Sequence, residues 1–183
     1  MASNEVRIIG GKWRGRKLAF PDEPQLRPTL GRVRETLFNW LRSDVPGSRC
    51  LDLFAGSGAL GFEALSRGAA AVTFVDSNRR VARCLEDNAR KLAADNALVI
   101  CSPAERVLRR APEQWDIIFL DPPFQGFCAA DVLVLIREEK ALAAEGLIYL
   151  EAPRREALQL THWVQVKHGQ AGDTQFALLA SPR

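Results

Sequence analysis

From Arg49 to Leu150 short apolar runs alternate with stretches of helical periodicity, and that rhythm leaves the chain few ways to fold. Cys50-Leu51-Asp52-Leu53-Phe54 reads as a buried strand ended by Gly56 and Gly58, and Leu60, Ala64 and Leu65 then recur at helical spacing until Arg67-Gly68. Ala71–Val75 is a second strand ending at Asp76, followed by a helix from about Asn78 to Ala93 with Val81, Leu85, Ala89 and Leu92 on one face. Leu98–Cys101, a short helix through Val107 and Leu108, the strand Trp115–Leu120, a helix over Val132–Leu142 and the strand Leu147–Leu150 complete the series. Strands apolar throughout, separated by helices, predict a parallel sheet covered on both faces. The end departs from this rhythm. His162–Lys167 and Gln175–Leu179 are strand-like, and the seven residues between them are too few for a parallel crossover, which needs about a dozen. An antiparallel hairpin is predicted there.

Ahead of the sheet, 1–30 carries Pro21, Pro24, Pro28, Gly10, Gly11 and Gly15, which suits a short strand or hairpin and a loop, and Gly31–Ser43 is patterned as a helix with Val33, Leu37, Trp40 and Leu41 in one stripe. We therefore divide the chain into a basic N-terminal extension, 1–45, and a catalytic domain, 46–183. Charge supports the division. The net charge is +3, yet nine bases against five acids give the first 45 residues +4, while 16 bases against 17 acids leave the remainder at −1. A basic segment of this kind attracts polyanions, although a solvated, charge-rich entry to the domain would look the same. No apolar run approaches the ~20 residues of a membrane span, and Met1–Glu5 lacks the layout of a secretory signal. Four scattered cysteines without a C-x-x-C pair suggest reduced, buried thiols in a cytoplasmic protein, and with only two histidines no metal site is expected.

Gly56-Ser57-Gly58-Ala59-Leu60-Gly61 matches G-x-G-x-x-G, directly after a strand and opening a helix. Such a loop lets a ligand approach the backbone closely at a helix N-terminus. Dinucleotide-binding oxidoreductases share it, so it does not choose the ligand alone. Asp52, four residues before Gly56, makes the choice: a carboxylate there would repel a pyrophosphate but suits a sulfonium and an α-ammonium, the charges of S-adenosylmethionine. The plainer role for Asp52 is to cap backbone N–H groups. Asp76, at the end of the second strand, is placed to accept both ribose hydroxyls, with Ser77 free to cap the following helix. Phe54, Ala55, Gly56, Ser57 and Gly58 line the loop, and Ser102 and Ala104 after the third strand border the adenine. Many methyltransferases carry an Asp at that last place; Pro103 stands here, so backbone groups, Ser102 or Glu105 must serve.

Asp121-Pro122-Pro123-Phe124, at the end of the fourth strand, is the sharpest signal in the chain. An exocyclic amine on a base is a poor nucleophile because its lone pair is delocalised into the ring. Asp121 can accept one amine hydrogen and the Pro122 carbonyl the other, while Pro122 and Pro123 hold both acceptors rigidly. Phe124 offers a ring on which a flipped base can stack. A Pro-Pro turn with a buried Phe is the plainer alternative, but one rarely found after Asp at this strand and downstream of such a loop.

These residues resemble the bacterial small-subunit (16S) ribosomal RNA guanine-N2 methyltransferases of the RsmD type. The likeness runs through the basic opening Arg7–Leu18, Arg27-Pro28-Thr29, Arg32–Leu41, Leu51–Gly61 and Asp121–Phe124. Gly31, where that family usually has Asp, and the loosely matched Gly169–Gln175 are departures. The resemblance implies an α/β, Rossmann-like class I fold, with a seven-stranded, mostly parallel sheet whose last strand is antiparallel. It implies S-adenosylmethionine as cofactor and methyl transfer to N2 of a guanine in a 16S rRNA hairpin loop, guanine 966. The substrate would be 16S rRNA within the 30S subunit or an assembly intermediate, and the enzyme a monomer. Lys12, Arg14, Arg16 and Lys17 alternate with Gly11, Trp13 and Gly15, so a hairpin could present cations and one aromatic ring to RNA. Arg32 and Arg34, on the helix before the sheet, are candidates to line the cleft, with surface salt bridges as the plainer alternative. Competing functions are a DNA or protein amino-methyltransferase, of which a DNA enzyme would usually carry a separate target-recognition region, a non-catalytic cofactor-binding RNA assembly factor, which the intact Asp121–Phe124 disfavours, and a dehydrogenase, which Asp52 and the antiparallel last hairpin disfavour.

Overall fold

The computed structural model describes residues 3–23, 26, 29–110, 114–123, 128–158 and 160–182. Seven strands form one sheet: β3 (Arg49–Asp52), β4 (Ala71–Asp76), β5 (Ala97–Cys101), β6 (Trp115–Leu120), β7 (Leu142–Pro153), β8 (Val164–Ala171) and β9 (Thr174–Ala180). Their order is β5-β4-β3-β6-β7-β9-β8. The five strands from β5 to β7 pair in parallel, whereas β9 runs antiparallel between β7 and β8. This is the expected Rossmann-like layout with an antiparallel last strand, and it brings the carboxyl ends of β3, β4, β6 and β7 to one edge. The predicted terminal hairpin is present, turning at Gly172 (φ 62°).

Helices α2 (Ala59–Ser66), α3 (Arg79–Leu92), α4 (Ala104–Arg110) and α5 (Ala129–Glu138) link the strands. Alternation along each central strand divides the core. Cys50, Val72, Phe74, Ile117, Phe119 and Tyr149 face one apolar layer, and Leu51, Leu53, Val75, Ile118, Leu120 and Leu150 face the other. Asn78 caps α3, accepting from the Arg80 and Val81 backbone N–H groups. Helix α5 ends earlier than the apolar pattern over Val132–Leu142 predicts. The helix stops at Glu138, Lys140 takes a left-handed φ of 52°, and the Ala141 N–H bonds back to the Ile136 carbonyl. Leu142 belongs to β7, paired with Trp115. Because β5 is a sheet edge, its apolar pattern is not fully buried: Leu98 is exposed. Of the four free cysteines, Cys50 is buried and Cys84 half-buried, while Cys101 and Cys128 are exposed, contrary to the expectation of buried thiols.

Before the sheet, β1 (Ser3–Arg7) and β2 (Lys17–Pro21) form an antiparallel pair joined through a 3₁₀ turn at Gly11–Trp13, and α1 (Gly31–Trp40) follows. Val6, Ile8, Trp13, Leu18 and Phe20 share one apolar cluster with α1, α2 and α3. A buried polar hub fastens this layer. Glu63 of α2, fully enclosed, accepts from the Ile9 and Gly10 N–H groups at 2.7 and 2.8 Å and from Arg67 at 2.8 Å. Ser66 accepts from the Trp13 N–H and donates to the Gly10 carbonyl. Among the described residues no helix is long and apolar enough to cross a membrane.

Candidate active site

The loop between β3 and α2 is held from both sides. Asp76, at the end of β4, accepts from the Gly56 N–H at 3.0 Å with one oxygen and from the Asn78 N–H at 2.8 Å with the other. One carboxylate thus ties the glycine loop to the start of α3, while each oxygen keeps a lone pair for a further donor. Gly58 has φ 74°, a left-handed conformation that opens α2. At Gly61 the requirement is space: a Cβ would stand 2.3 Å from Phe74 Cε1 and 3.0 Å from Asp52 Oδ2. Asp52 itself is 2% exposed and accepts from the Gly61 N–H at 3.0 Å. The expected ligand carboxylate is therefore mainly a brace beneath the loop. Burial pushes its carboxyl up to about 7, opposed by the Gly61 hydrogen bond and reinforced by the charges of Asp121 and Asp76. Ala55 and Ser57 are buried and Phe54 half-buried in the same turn. The Ser102 N–H bonds to the Asp76 carbonyl at 3.0 Å, so the segment beginning at Ser102 borders the same end of the sheet; Ser77 is exposed and Ala104 buried. Asn78, not Ser77, caps the helix.

Asp121 follows β6, the immediate neighbour of β3, so the tetrapeptide and the glycine loop leave adjacent strands at the same edge. Pro122 is buried and Pro123 half-buried; Phe124 lies outside the described residues. The Thr29 hydroxyl donates to Asp121 Oδ2 at 3.1 Å. Asp121 keeps some contact with solvent, yet burial lifts its carboxyl above the usual carboxylate range, and the Thr29 bond works against that shift. A partner not foreseen from sequence stands on the next strand. Leu120 pairs with Leu150, so Glu151 of β7 follows the pair alongside Asp121. Glu151 is 7% exposed, accepts from the Tyr149 hydroxyl at 2.8 Å, and is likewise raised, first by burial and then by the charge of Asp121. Among the described residues no Lys or Arg forms an ion pair with Asp52, Asp76, Asp121 or Glu151.

The chain before α1 bridges the two halves of the site. A Cβ at Gly56 would lie 3.7 Å from Leu26 Cγ, and Thr29, three residues on, holds Asp121. Neither residue carried a functional expectation of its own, because their partners are remote in sequence.

The candidate RNA-binding residues separate into three groups. Trp13 is buried at 8% exposure, its ring covered by the Lys12 ammonium at 4.2 Å, so the expectation that it faces RNA is corrected. Arg34 is corrected too. It is 4% exposed, bonded to the Thr29 and Arg7 carbonyls and 3.7 Å from Glu63, which makes it a structural cation of the interior. Burial lowers its guanidinium's basicity, and Glu63 counteracts this. Lys12, Arg14, Arg16, Lys17 and Arg32 are exposed. Arg16 donates to the Lys91 carbonyl near the end of α3 and Lys17 pairs with Glu5. Arg32 reaches the β8–β9 turn, where a Cβ at Gly172 would be 3.6 Å from its Nη2.

Comparison with known proteins gives a consistent picture. The model of the family described as conserved hypothetical protein 95 matches residues 6–180. The Escherichia coli (strain K12) ribosomal RNA small subunit methyltransferase D is 44% identical over 178 residues, covering 96% of this chain and 90% of that protein. The solved structure of Escherichia coli yhhF is 42% identical with a TM-score of 0.87, covering 97% of this chain and 98% of that one. A Thermus thermophilus 16S rRNA N2 G1207 methyltransferase, solved with AdoMet and guanosine, shares the fold at TM-score 0.73 and 21% identity, covering all of this chain and 50% of that one.

Proposed function

Because this chain belongs to the conserved hypothetical protein 95 family, that of ribosomal RNA small subunit methyltransferase D, we propose that it methylates small-subunit rRNA at the N2 amine of a guanine. S-adenosylmethionine is the methyl donor and guanine 966 the target in this reading, with the 30S particle or an assembly intermediate as the working substrate in the cytoplasm. The observation that carries it is the shared edge: the glycine loop and Asp121 leave adjacent strands, joined overhead by the segment of Leu26 and Thr29. The residues fit the cofactor. A sheet edge with several carboxylates, none ion-paired to Lys or Arg among the described residues, suits a ligand carrying a sulfonium and an ammonium.

Asp76 would receive the ribose hydroxyls, the loop at Phe54–Gly58 the amino-acid portion, and Ser102 and Ala104 the adenine. When bound, S-adenosylmethionine would supply an electrophilic methyl, and its sulfur would keep the electron pair of the sulfur–carbon bond that breaks. Asp121 accepts one N2 hydrogen and the Pro122 carbonyl the other, which draws the nitrogen lone pair out of conjugation and points it at the cofactor. Thr29 fixes the Asp121 carboxylate and favours its ionised, accepting form. The surplus proton leaves N2 once the amine is cationic, through Asp121 to solvent. Phe124 would stack on the flipped base. The N-terminal extension, 1–45, supplies exposed cations for phosphate contacts, and the enzyme acts as a monomer.

The test is Asp121→Ala in the purified protein. Cofactor binding should stay within a few-fold of the parent by calorimetry, while methyl transfer to 30S particles falls by ~10²–10³, the usual loss for one preorganised polar group. Unchanged turnover would remove Asp121 from the chemistry, and mapping the methylated nucleotide by mass reports the target.

A further inference from the structure

Glu151 has no task in the mechanism above, yet it is more deeply enclosed than most carboxylates in the molecule. It stands at the carboxyl end of β7, one residue past the Leu120–Leu150 pair and so beside Asp121. Tyr149, two residues earlier on the same face, holds it by a single 2.8 Å hydrogen bond to Oε2. Tyr149 is itself locked by Phe119 and Phe176, at ring separations of 6.5 and 6.4 Å, so the carboxylate is carried on a rigid aromatic support. Glu151 is 7% exposed and forms no ion pair with Lys or Arg among the described residues. A buried carboxylate with one hydroxyl partner among the described residues and a second carboxylate beside it is costly unless N–H donors arrive to satisfy it.

The guanine reading supplies those donors. The Watson–Crick edge of guanine presents N1–H next to the N2 amine. If Asp121 and the Pro122 carbonyl take the two N2 hydrogens, N1–H is the remaining donor on that side of the ring. We infer that Glu151 accepts N1–H of the target base and is the residue by which the site selects guanine. Adenine and cytosine present an unprotonated acceptor nitrogen at the corresponding place and would face the carboxylate lone pairs. A site built to accept a substrate N–H discriminates strongly against bases that lack it.

This inference rests on the proposed N2 methylation, and the experiment separates the two. Target RNA hairpins within reconstituted 30S particles would carry guanine or 2-aminopurine at the methylated position. 2-Aminopurine keeps the exocyclic amine but has no hydrogen on N1. The parent protein should prefer guanine by 100-fold or more in kcat/KM. In Glu151→Gln the carboxamide can donate to the bare N1, so that preference should shrink at least tenfold, with cofactor affinity and melting temperature near those of the parent. Tyr149→Phe, which keeps the acid but loosens it, should reduce the preference by a smaller factor.

The pH profile gives a second readout. Asp121 from β6 and Tyr149 on its own strand are the titratable groups that act on Glu151, and its β9 neighbour Phe176 is apolar. Because burial and Asp121 raise the Glu151 carboxyl, kcat/KM for guanine should climb with pH above the ordinary carboxylate range. That part of the limb should flatten in Glu151→Gln. Equal losses on both bases with an unaltered preference would overturn the inference and leave the methylation reading standing. No guanine methylation by the parent protein would overturn both.

Discussion

Asp52 illustrates how a residue that advertises itself in sequence can act at one remove. Its place four residues before the glycine loop is local, hence legible, but its 2% exposure and its bond to Gly61 make it a brace whose charge is felt through the loop. Its carboxyl, raised to about 7 by burial, implies a measurable linkage. Between the ordinary carboxylate pKa near ~3.9 and the folded value, the native chain holds a proton that the unfolded chain has lost. Ligand-free stability therefore carries this contribution in full below about pH 4, and loses it as the pH rises to about 7, by ~1.4 kcal/mol per pH unit at most. Asp52→Asn keeps an acceptor for Gly61 and cannot ionise. Its melting temperature should fall less between about pH 5 and pH 8 than that of the parent, while S-adenosylmethionine binding weakens about tenfold or more through loss of the negative field. Parallel melting curves for the two proteins would show that Asp52 is equally ionised in the folded and unfolded chains over this range, so that its folded carboxyl is not raised.

The elements were more legible than the contacts between them. Alternation of apolar runs and helical spacing depends on neighbours along the chain, so β3 to β6, α2 and α3 emerge near their observed bounds. Contacts across 92 positions, such as Thr29 with Asp121, leave no mark on local pattern, and neither does the register that sets Glu151 beside Asp121. Trp13 and Arg34 were misassigned for the same reason. An aromatic ring and a guanidinium in a basic stretch look ready for RNA, but Ser66 and Glu63, which draw them inward, sit on α2 more than two dozen residues away. Among the polar contacts that fasten the N-terminal strands to α2 and α3, Glu63 makes the most, and those strands should loosen when it is removed. Glu63→Ala strips the acceptor from Ile9, Gly10 and Arg67 and strands Arg34 in the interior. Breaking a buried pair from one side typically costs ~3–5 kcal/mol. Urea denaturation should show a loss of that order, with amide exchange of β1 and β2 accelerating ahead of the central strands. A loss below about 1 kcal/mol would mean that the Ser66 and Asn88 hydrogen bonds and the apolar contacts of Ile8, Leu18 and Phe20 hold these strands without Glu63.

Across the whole molecule, the basic turn and the proposed cofactor edge lie at opposite ends of α2 and α3. The 3₁₀ turn at Gly11–Trp13 docks on Ser66, the last residue of α2, and Arg16 reaches Lys91 near the end of α3, whereas both helices begin beside the glycine loop and Asp76. At 1.5 Å per residue, the 14 residues of α3 put the basic turn about 20 Å from the proposed cofactor edge. Lys12, Arg14, Arg16 and Lys17 therefore lie too far away to touch the reacting base, but within reach of phosphates on a structured RNA whose flipped nucleotide enters the cleft. Such contacts position without reading sequence. Changing all four residues to Ala should weaken RNA binding and make its salt dependence shallower. Each lost phosphate contact removes about 0.7–0.9 from the slope of log K against log salt, so three or four contacts would flatten it by roughly 2–4. The partners that Arg16 and Lys17 already have, the Lys91 carbonyl and Glu5, favour the lower end of that range. Filter binding of an rRNA fragment across a salt series reads the slope directly. Two parallel lines, displaced or not, would move the RNA path off this turn and onto another exposed cation such as Arg32, which reaches the β8–β9 turn.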